Sequence, residues 1–109
     1  MEDRNCPITR ATKVLSSKWT LEMIYNLREQ KRFCELQEIV GGVNPATLTQ
    51  RLKTLEHAGI VNRHPILDGP RHVEYELTEK GKDLLGVLSA IETWVHRWYP
   101  EEKIETLRL

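Results

Sequence analysis

One stretch of this chain carries the marks of both its ends. Asn44 to Gly59 reads Asn-Pro-Ala-Thr-Leu-Thr-Gln-Arg-Leu-Lys-Thr-Leu-Glu-His-Ala-Gly. Asn44 is a good N-cap, and Pro45 suits the first helical position, where an amide proton would have no partner. Gly59 can take the left-handed conformation that closes a helix, and apolar Ile60 follows it. Leu48, Leu52 and Leu55 recur between these marks as one narrow apolar stripe. Successive residues 100° apart put Ala46, Gln50, Lys53 and His57 on the opposite side, flanked by Thr47, Thr49 and Thr54. That side has no acid and mostly short, hydrogen-bonding side chains. A helix that enters the DNA major groove needs such a face. An ordinary surface helix is the plainer alternative, and this helix alone does not decide between them.

The 109 residues suffice for one domain with a modest core, expected to span 1–109. Hydrophobic content of 39% and charged content of 29% fit a globular chain. Sixteen basic and sixteen acidic residues leave no net charge to attract a polyanion, so the distribution matters more. Between Asn44 and His72, Arg51, Lys53, Arg63 and Arg71 outnumber Glu56 and Asp68, and three histidines can add charge. No apolar run approaches the ~20 residues of a membrane span, and the N-terminus lacks the pattern of a signal peptide. A cytoplasmic location is therefore expected, away from the membrane, with Cys6 and Cys34 as free thiols.

The rest of the chain predicts elements on either side of this helix. A short helix starts at Pro7 with Ile8, Ala11 and Leu15 on its apolar side. A second runs from about Lys18 to Glu29, and Gln30 to Arg32 forms a polar link. A third helix turns Leu36, Ile39 and Val40 inward, with Phe33 packing from just outside it, and ends at Gly41-Gly42. Two short helices joined by a glycine-containing turn, the second slim and free of acid on its outer face, match a helix-turn-helix. After Gly59 the period changes to two. Ile60 to Pro65 and Val73 to Leu77 predict strands, with turn chemistry at Asp68-Gly69 between them. A hairpin directly after a recognition helix is a wing, and Arg71 and His72 near its tip are placed to reach phosphates or a minor groove. Thr78 predicts the cap of a last helix that continues to Trp98 or Tyr99. Its apolar set, including Leu84, Leu85, Val87, Leu88, Ile91, Trp94, Val95 and Trp98, is wider than packing on one core requires. A partner surface explains that width; folding back across its own domain is the alternative. The fold class expected is mainly α with a small β-hairpin, a winged helix-turn-helix with three N-terminal helices, a recognition helix, a wing and a long C-terminal dimerisation helix.

Six segments, in order, narrow the assignment: Cys-Pro-Ile at 6–8, Lys-Trp-Thr at 18–20, Arg-Phe at 32–33 with Glu35-Leu36, Pro-x-Thr-Leu-Thr-Gln-Arg-Leu at 45–52, Leu-Glu-x-x-Gly-Ile-Val at 55–61, and Val-Glu-Tyr-x-Leu-Thr-x-x-Gly at 73–81. Together they span residues 6 to about 98, and the chain resembles the HxlR-type bacterial transcriptional regulators, relatives of the MarR group. The resemblance implies a homodimer held by the N- and C-terminal helices on a pseudo-palindromic double-stranded operator. It also implies, for some relatives, a cysteine matching Cys6 that senses oxidants or small electrophiles. The chain departs from the family at Ser16-Ser17, where relatives often carry glycines, at Cys34, where they carry a polar residue, and in the wing sequence.

The residues assigned to DNA are Asn44 and Pro45 at the helix start, Thr47, Thr49, Gln50 and Lys53 at or near base edges, and Arg51, Arg71 and His72 toward the backbone or minor groove. Gln50 has the chemistry to read adenine. Ile8, Leu88, Ile91, Trp94, Val95 and Trp98 are assigned to the dimer interface. Cys6 and Cys34 both fall where a helix is expected to start, a setting that lowers a thiol pKa, so Cys6 is the sensor candidate and Cys34 a second site or disulfide partner. Two inert small residues are the alternative. The four histidines have no metal-ligand spacing, and no phosphate loop, nucleophile elbow or carboxylate pair is present, so no metal, cofactor or enzymatic activity is expected. A winged-helix module that binds protein instead of DNA is the competing function.

Overall fold

The computed structural model describes residues 6–65 and 73–100. Its elements run α1 (Pro7–Leu15), α2 (Thr20–Asn26), β1 (Lys31–Arg32), α3 (Phe33–Ile39), α4 (Pro45–His57), β2 (Val61–Pro65), β3 (Val73–Leu77) and α5 (Glu79–Trp98). The result is a mostly helical winged helix with a small antiparallel sheet of order β1-β3-β2.

α4 forms as its sequence requires. The Asn44 side-chain oxygen accepts from the Thr47 amide at 2.8 Å, satisfying one donor that the first turn leaves free. At the other end Gly59 takes φ +77°. Its amide donates to the Glu56 carbonyl at 3.0 Å, and the Ile60 amide donates to the Leu55 carbonyl at 2.9 Å, the paired bonds of a Schellman closure. Leu48, Leu52 and Leu55 are each at most 1% exposed, and burying each contributes about 1.5–3 kcal/mol. They meet Met23, Ile24 and Leu27 of α2, Leu36 of α3 and the inner residues of the sheet in one core cluster.

Four expectations are corrected. α2 is shorter than predicted because Trp19 has a left-handed backbone, φ +81°, which no helix can run through. Its far end tightens at Leu27, whose amide donates to the carbonyls of both Met23 and Ile24. The polar link 30–32 contains a strand: Lys31 and Arg32 pair with Tyr75 and Glu74, so the sheet has three strands where a hairpin was expected. In α3, Phe33 is the first helical residue instead of an outside neighbour, and Arg32 precedes it, its amide donating to Glu35 Oε1 at 2.8 Å. Ile39 points outward at 49% exposure, whereas Leu36 and Val40 turn inward as predicted.

α5 is fastened to the end of α4. The Thr78 hydroxyl accepts from the Gly81 amide at 3.0 Å and donates to the Gly59 carbonyl at 2.6 Å. The Thr78 amide donates to Ile60 O at 2.9 Å, and Lys80 Nζ donates to Ala58 O at 2.7 Å. Gly81 packs so closely that a Cβ there would lie 2.3 Å from the Ile60 carbonyl oxygen. α1, by contrast, buries no residue; Val14 and Leu15 pack partly on the core while Ile8 is 70% exposed. No helix of the described residues is long and apolar enough to cross a membrane.

Candidate nucleic-acid interface

The caps of α4 and its three buried leucines fix which side of it meets solvent. Asn44, Pro45, Ala46, Thr49, Gln50, Lys53 and His57 are exposed, and Thr47 and Arg51 are half-buried. Neither the Gln50 amide nor the Lys53 ammonium bonds to another side chain among the described residues. Thr54, although exposed, donates its hydroxyl to the Gln50 carbonyl at 3.1 Å.

Arg51 has a second task that its position in sequence did not announce. Its Nε donates to the Lys18 carbonyl at 3.0 Å, tying the recognition helix to the turn before α2. That turn holds the left-handed Trp19, with Lys18 Nζ 4.9 Å from the centre of its ring.

The base of the wing stands beside α4. β2 and β3 pair from Val61 with Leu77 to Pro65 with Val73. Arg63 is exposed on β2, and His64 Nε2 meets Glu76 Oε2 at 2.6 Å across the strands. Arg71, His72 and the Asp68-Gly69 turn lie outside the described residues. Between α3, α4 and the strands opens a cleft of about 630 Å³, bordered by Thr49 and Lys53 of the recognition helix. Sequence reasoning missed it because its walls come from four separate elements; the basic Arg63 so close after the recognition helix was the only hint.

Both cysteines are free thiols. Cys6 is the N-cap residue of α1 and half-buried. The Thr9 amide, then its hydroxyl and the Ile8 amide, favour the thiolate and hold this thiol below its ordinary value, although the sulfur forms no full capping hydrogen bond. Cys34 is exposed and sits one residue inside α3, not ahead of it as expected. Among the described residues no three histidine, cysteine or acidic side chains stand together as a metal site would need.

Along α5, Val87, Ile91, Trp94 and Trp98 are 42–60% exposed and Val95 is half-buried. Leu88 corrects the expected set: at 7% exposure it belongs to the protomer's own core. Val87 takes a place in the outward row that the sequence assignment did not give it. Tyr25 of α2 donates its hydroxyl to Glu92 at 3.0 Å, which holds α5 against the body of the fold.

Comparison with known proteins agrees with this architecture. A family model described as HxlR-like helix-turn-helix matches residues 14–103. The chain is 35% identical over 95 residues to the uncharacterised HTH-type transcriptional regulator YvaP of Bacillus subtilis, covering 85% of this chain and 88% of that protein. Among solved structures, a protein described as a MarR-family regulator from Porphyromonas gingivalis superposes with a TM-score of 0.80 at 28% identity, covering 86% of this chain and 93% of that one. The reduced form of the transcriptional regulator YodB from B. subtilis superposes with a TM-score of 0.73 at 33% identity, covering 87% and 95%.

Proposed function

The chain belongs to the HxlR-like helix-turn-helix family of transcriptional regulators, and on that footing we propose that it binds a pseudo-palindromic double-stranded DNA operator as a homodimer, under control of Cys6 by an oxidant or small electrophile. The observation that carries the DNA reading is the outer face of α4. Among the described residues it presents an amide at Gln50 and an ammonium at Lys53 that bond to no other side chain, set between short threonines, beside a wing base with its own cation, Arg63. A glutamine is suited to bond adenine through its N6 and N7, and the slim neighbours let the helix approach that edge. Asn44 and Pro45 place the helix start toward the phosphates. Arg51 and the wing residues Arg71 and His72 are assigned to the backbone or minor groove. The homodimer reading rests on the outward row of α5, and the Cys6 reading on its depressed thiol pKa together with the likeness to YodB, a regulator solved in a reduced form. The protein acts, in this reading, in a bacterial cytoplasm.

An operator selected from random duplexes tests the central claim. In gel-shift titrations Gln50→Ala should lose about 1–3 kcal/mol on the selected site and little on scrambled DNA, relaxing the preference at one base pair. Equal loss on both sequences would remove Gln50 from base reading. No measurable binding of any duplex by the intact chain would turn the fold toward the protein-interaction alternative.

A further inference from the structure

Among the described residues Trp19 is the only one other than glycine with a left-handed backbone, at φ +81°. A side chain makes that conformation strained, and such strain persists only where the surroundings hold it, often at a functional site. Here the strain aims a hydrogen bond. The peptide unit between Lys18 and Trp19 is planar, so φ of Trp19 decides where the Lys18 carbonyl points. At +81° that carbonyl faces α4 and accepts from Arg51 Nε at 3.0 Å. The Trp19 ring packs partly on the core, and its Cη2 atom comes 3.7 Å from the place of a Cβ on Gly42, in the turn that leads to α4. Strained peptide, indole and Gly42 turn form one brace for the recognition helix, and Arg51 is its tie.

α4 needs such a tie. Its buried residues are only Leu48, Leu52 and Leu55, and a helix seated on so narrow a stripe is poorly fixed against rolling about its axis. Roll decides whether Gln50 meets a base edge squarely, and a two-bond contact with adenine tolerates little misalignment. We propose that Arg51 is a positioning residue for base reading: its Nε–H, held on the Lys18 carbonyl, sets the roll of α4 and so the aim of Gln50. The role rests on the operator reading above and narrows it, since Arg51 then acts on DNA through Lys18 and the phosphates fall to other cations. A phosphate contact strengthens binding to every duplex and adds to its salt dependence. A tie of this kind raises only the preference for the right sequence.

Two substitutions separate the donor from the charge. Arg51→Gln keeps an N–H donor at the same number of bonds from the backbone as arginine Nε and loses the charge; Arg51→Lys keeps the charge and puts a methylene there. Gel-shift titrations on the selected operator and a scrambled duplex, across about 50–200 mM salt, give the sequence preference and salt slope of each variant. Arg51→Lys and Arg51→Ala should lose about tenfold of the preference, part of what one base contact supplies. Arg51→Gln should keep it to within about threefold, because a neutral bond replaces a charge-assisted one. The slope of log K against log salt should stay at the wild-type value in Arg51→Gln and Arg51→Ala. A slope reduced by about one in both, with the preference kept in Arg51→Lys, would make Arg51 a phosphate contact and overturn the proposal. In the intact chain without DNA, the Nε–H proton of Arg51 should exchange with water about tenfold more slowly than that of exposed Arg63. Equal exchange would mean that no tie exists, whatever the chain binds. A slow Nε–H in a chain that binds no duplex would instead overturn the operator reading and, through it, the role given to Arg51.

Discussion

Cys6 owes its character to three backbone-level facts: Pro7 starts the helix, the sulfur sits at the open end of α1, and the Thr9 amide faces it. An N-terminal helix end carries partial positive charge, so it favours thiolate over thiol. The sign of the pH effect follows. The folded thiol ionises at lower pH than the unfolded one, and between those two values the folded chain carries more of the nucleophilic form. The rate of iodoacetamide alkylation at Cys6 should therefore reach half its plateau at lower pH in buffer than in concentrated urea. Thr9→Val removes the hydroxyl contribution and keeps the larger amide one, so it should recover part of that difference. Coincident profiles in buffer and urea would show that the helix end does nothing for this thiol. If the thiol also controls DNA binding, diamide should weaken operator affinity in the wild type and not in Cys6→Ser.

At the scale of elements, the junction of α4, β2 and α5 sets how the recognition helix is held, and two glycines of α5 separate packing from propensity. A methyl at Gly81 has nowhere to go, since the nearest atom is the backbone oxygen of Ile60 at 2.3 Å. Gly86 has nothing within 4 Å of its would-be Cβ. Gly81→Ala should destabilise by about 1–3 kcal/mol as the strand and helix are forced apart, whereas Gly86→Ala should stabilise by up to about 1 kcal/mol through helix propensity. Urea titrations would read the opposite signs; destabilisation by both would mean that α5 meets a close neighbour near Gly86. The same elements show what could be read in advance. α4 was legible from cap to cap because Asn44, Pro45, the leucine stripe and Gly59 act within a few residues of one another. β1 was not, because two residues carry no period and Lys31–Arg32 become a strand only when β3 offers an edge. The start of α2 was misplaced for a similar reason: the left-handed Trp19 packs partly on the core, and no local signal in the sequence marks its backbone. The cleft joins residues from Phe33 to Tyr75 and exists only once the chain has folded.

For the whole molecule, the question is what covers the outer row of α5. Val87, Ile91, Trp94 and Trp98 follow one another at four, three and four residues, which keeps them on one face, and Ile8 of α1 adds a further exposed apolar residue. An apolar row of this size is costly to leave in water, and a second copy of the same row is a self-complementary cover that closes after two subunits. Such a pairing would also suit the proposed operator, since a twofold dimer presents two recognition helices to half-sites about 34–36 Å apart. Trp94→Glu with Trp98→Glu puts two charges on each face of that contact without touching the core cluster, so the subunit should keep its helical circular dichroism. Sedimentation equilibrium should then find a dimer for the wild type and a monomer for the double variant, with the wild-type melting temperature rising with protein concentration and that of the variant independent of it. Operator binding by the variant should fall toward the strength of a single half-site, because one monomer grips only one turn of the duplex. A double variant that still sediments as a dimer would move the interface away from this row, and the spacing of the two recognition helices would have to be set by another surface.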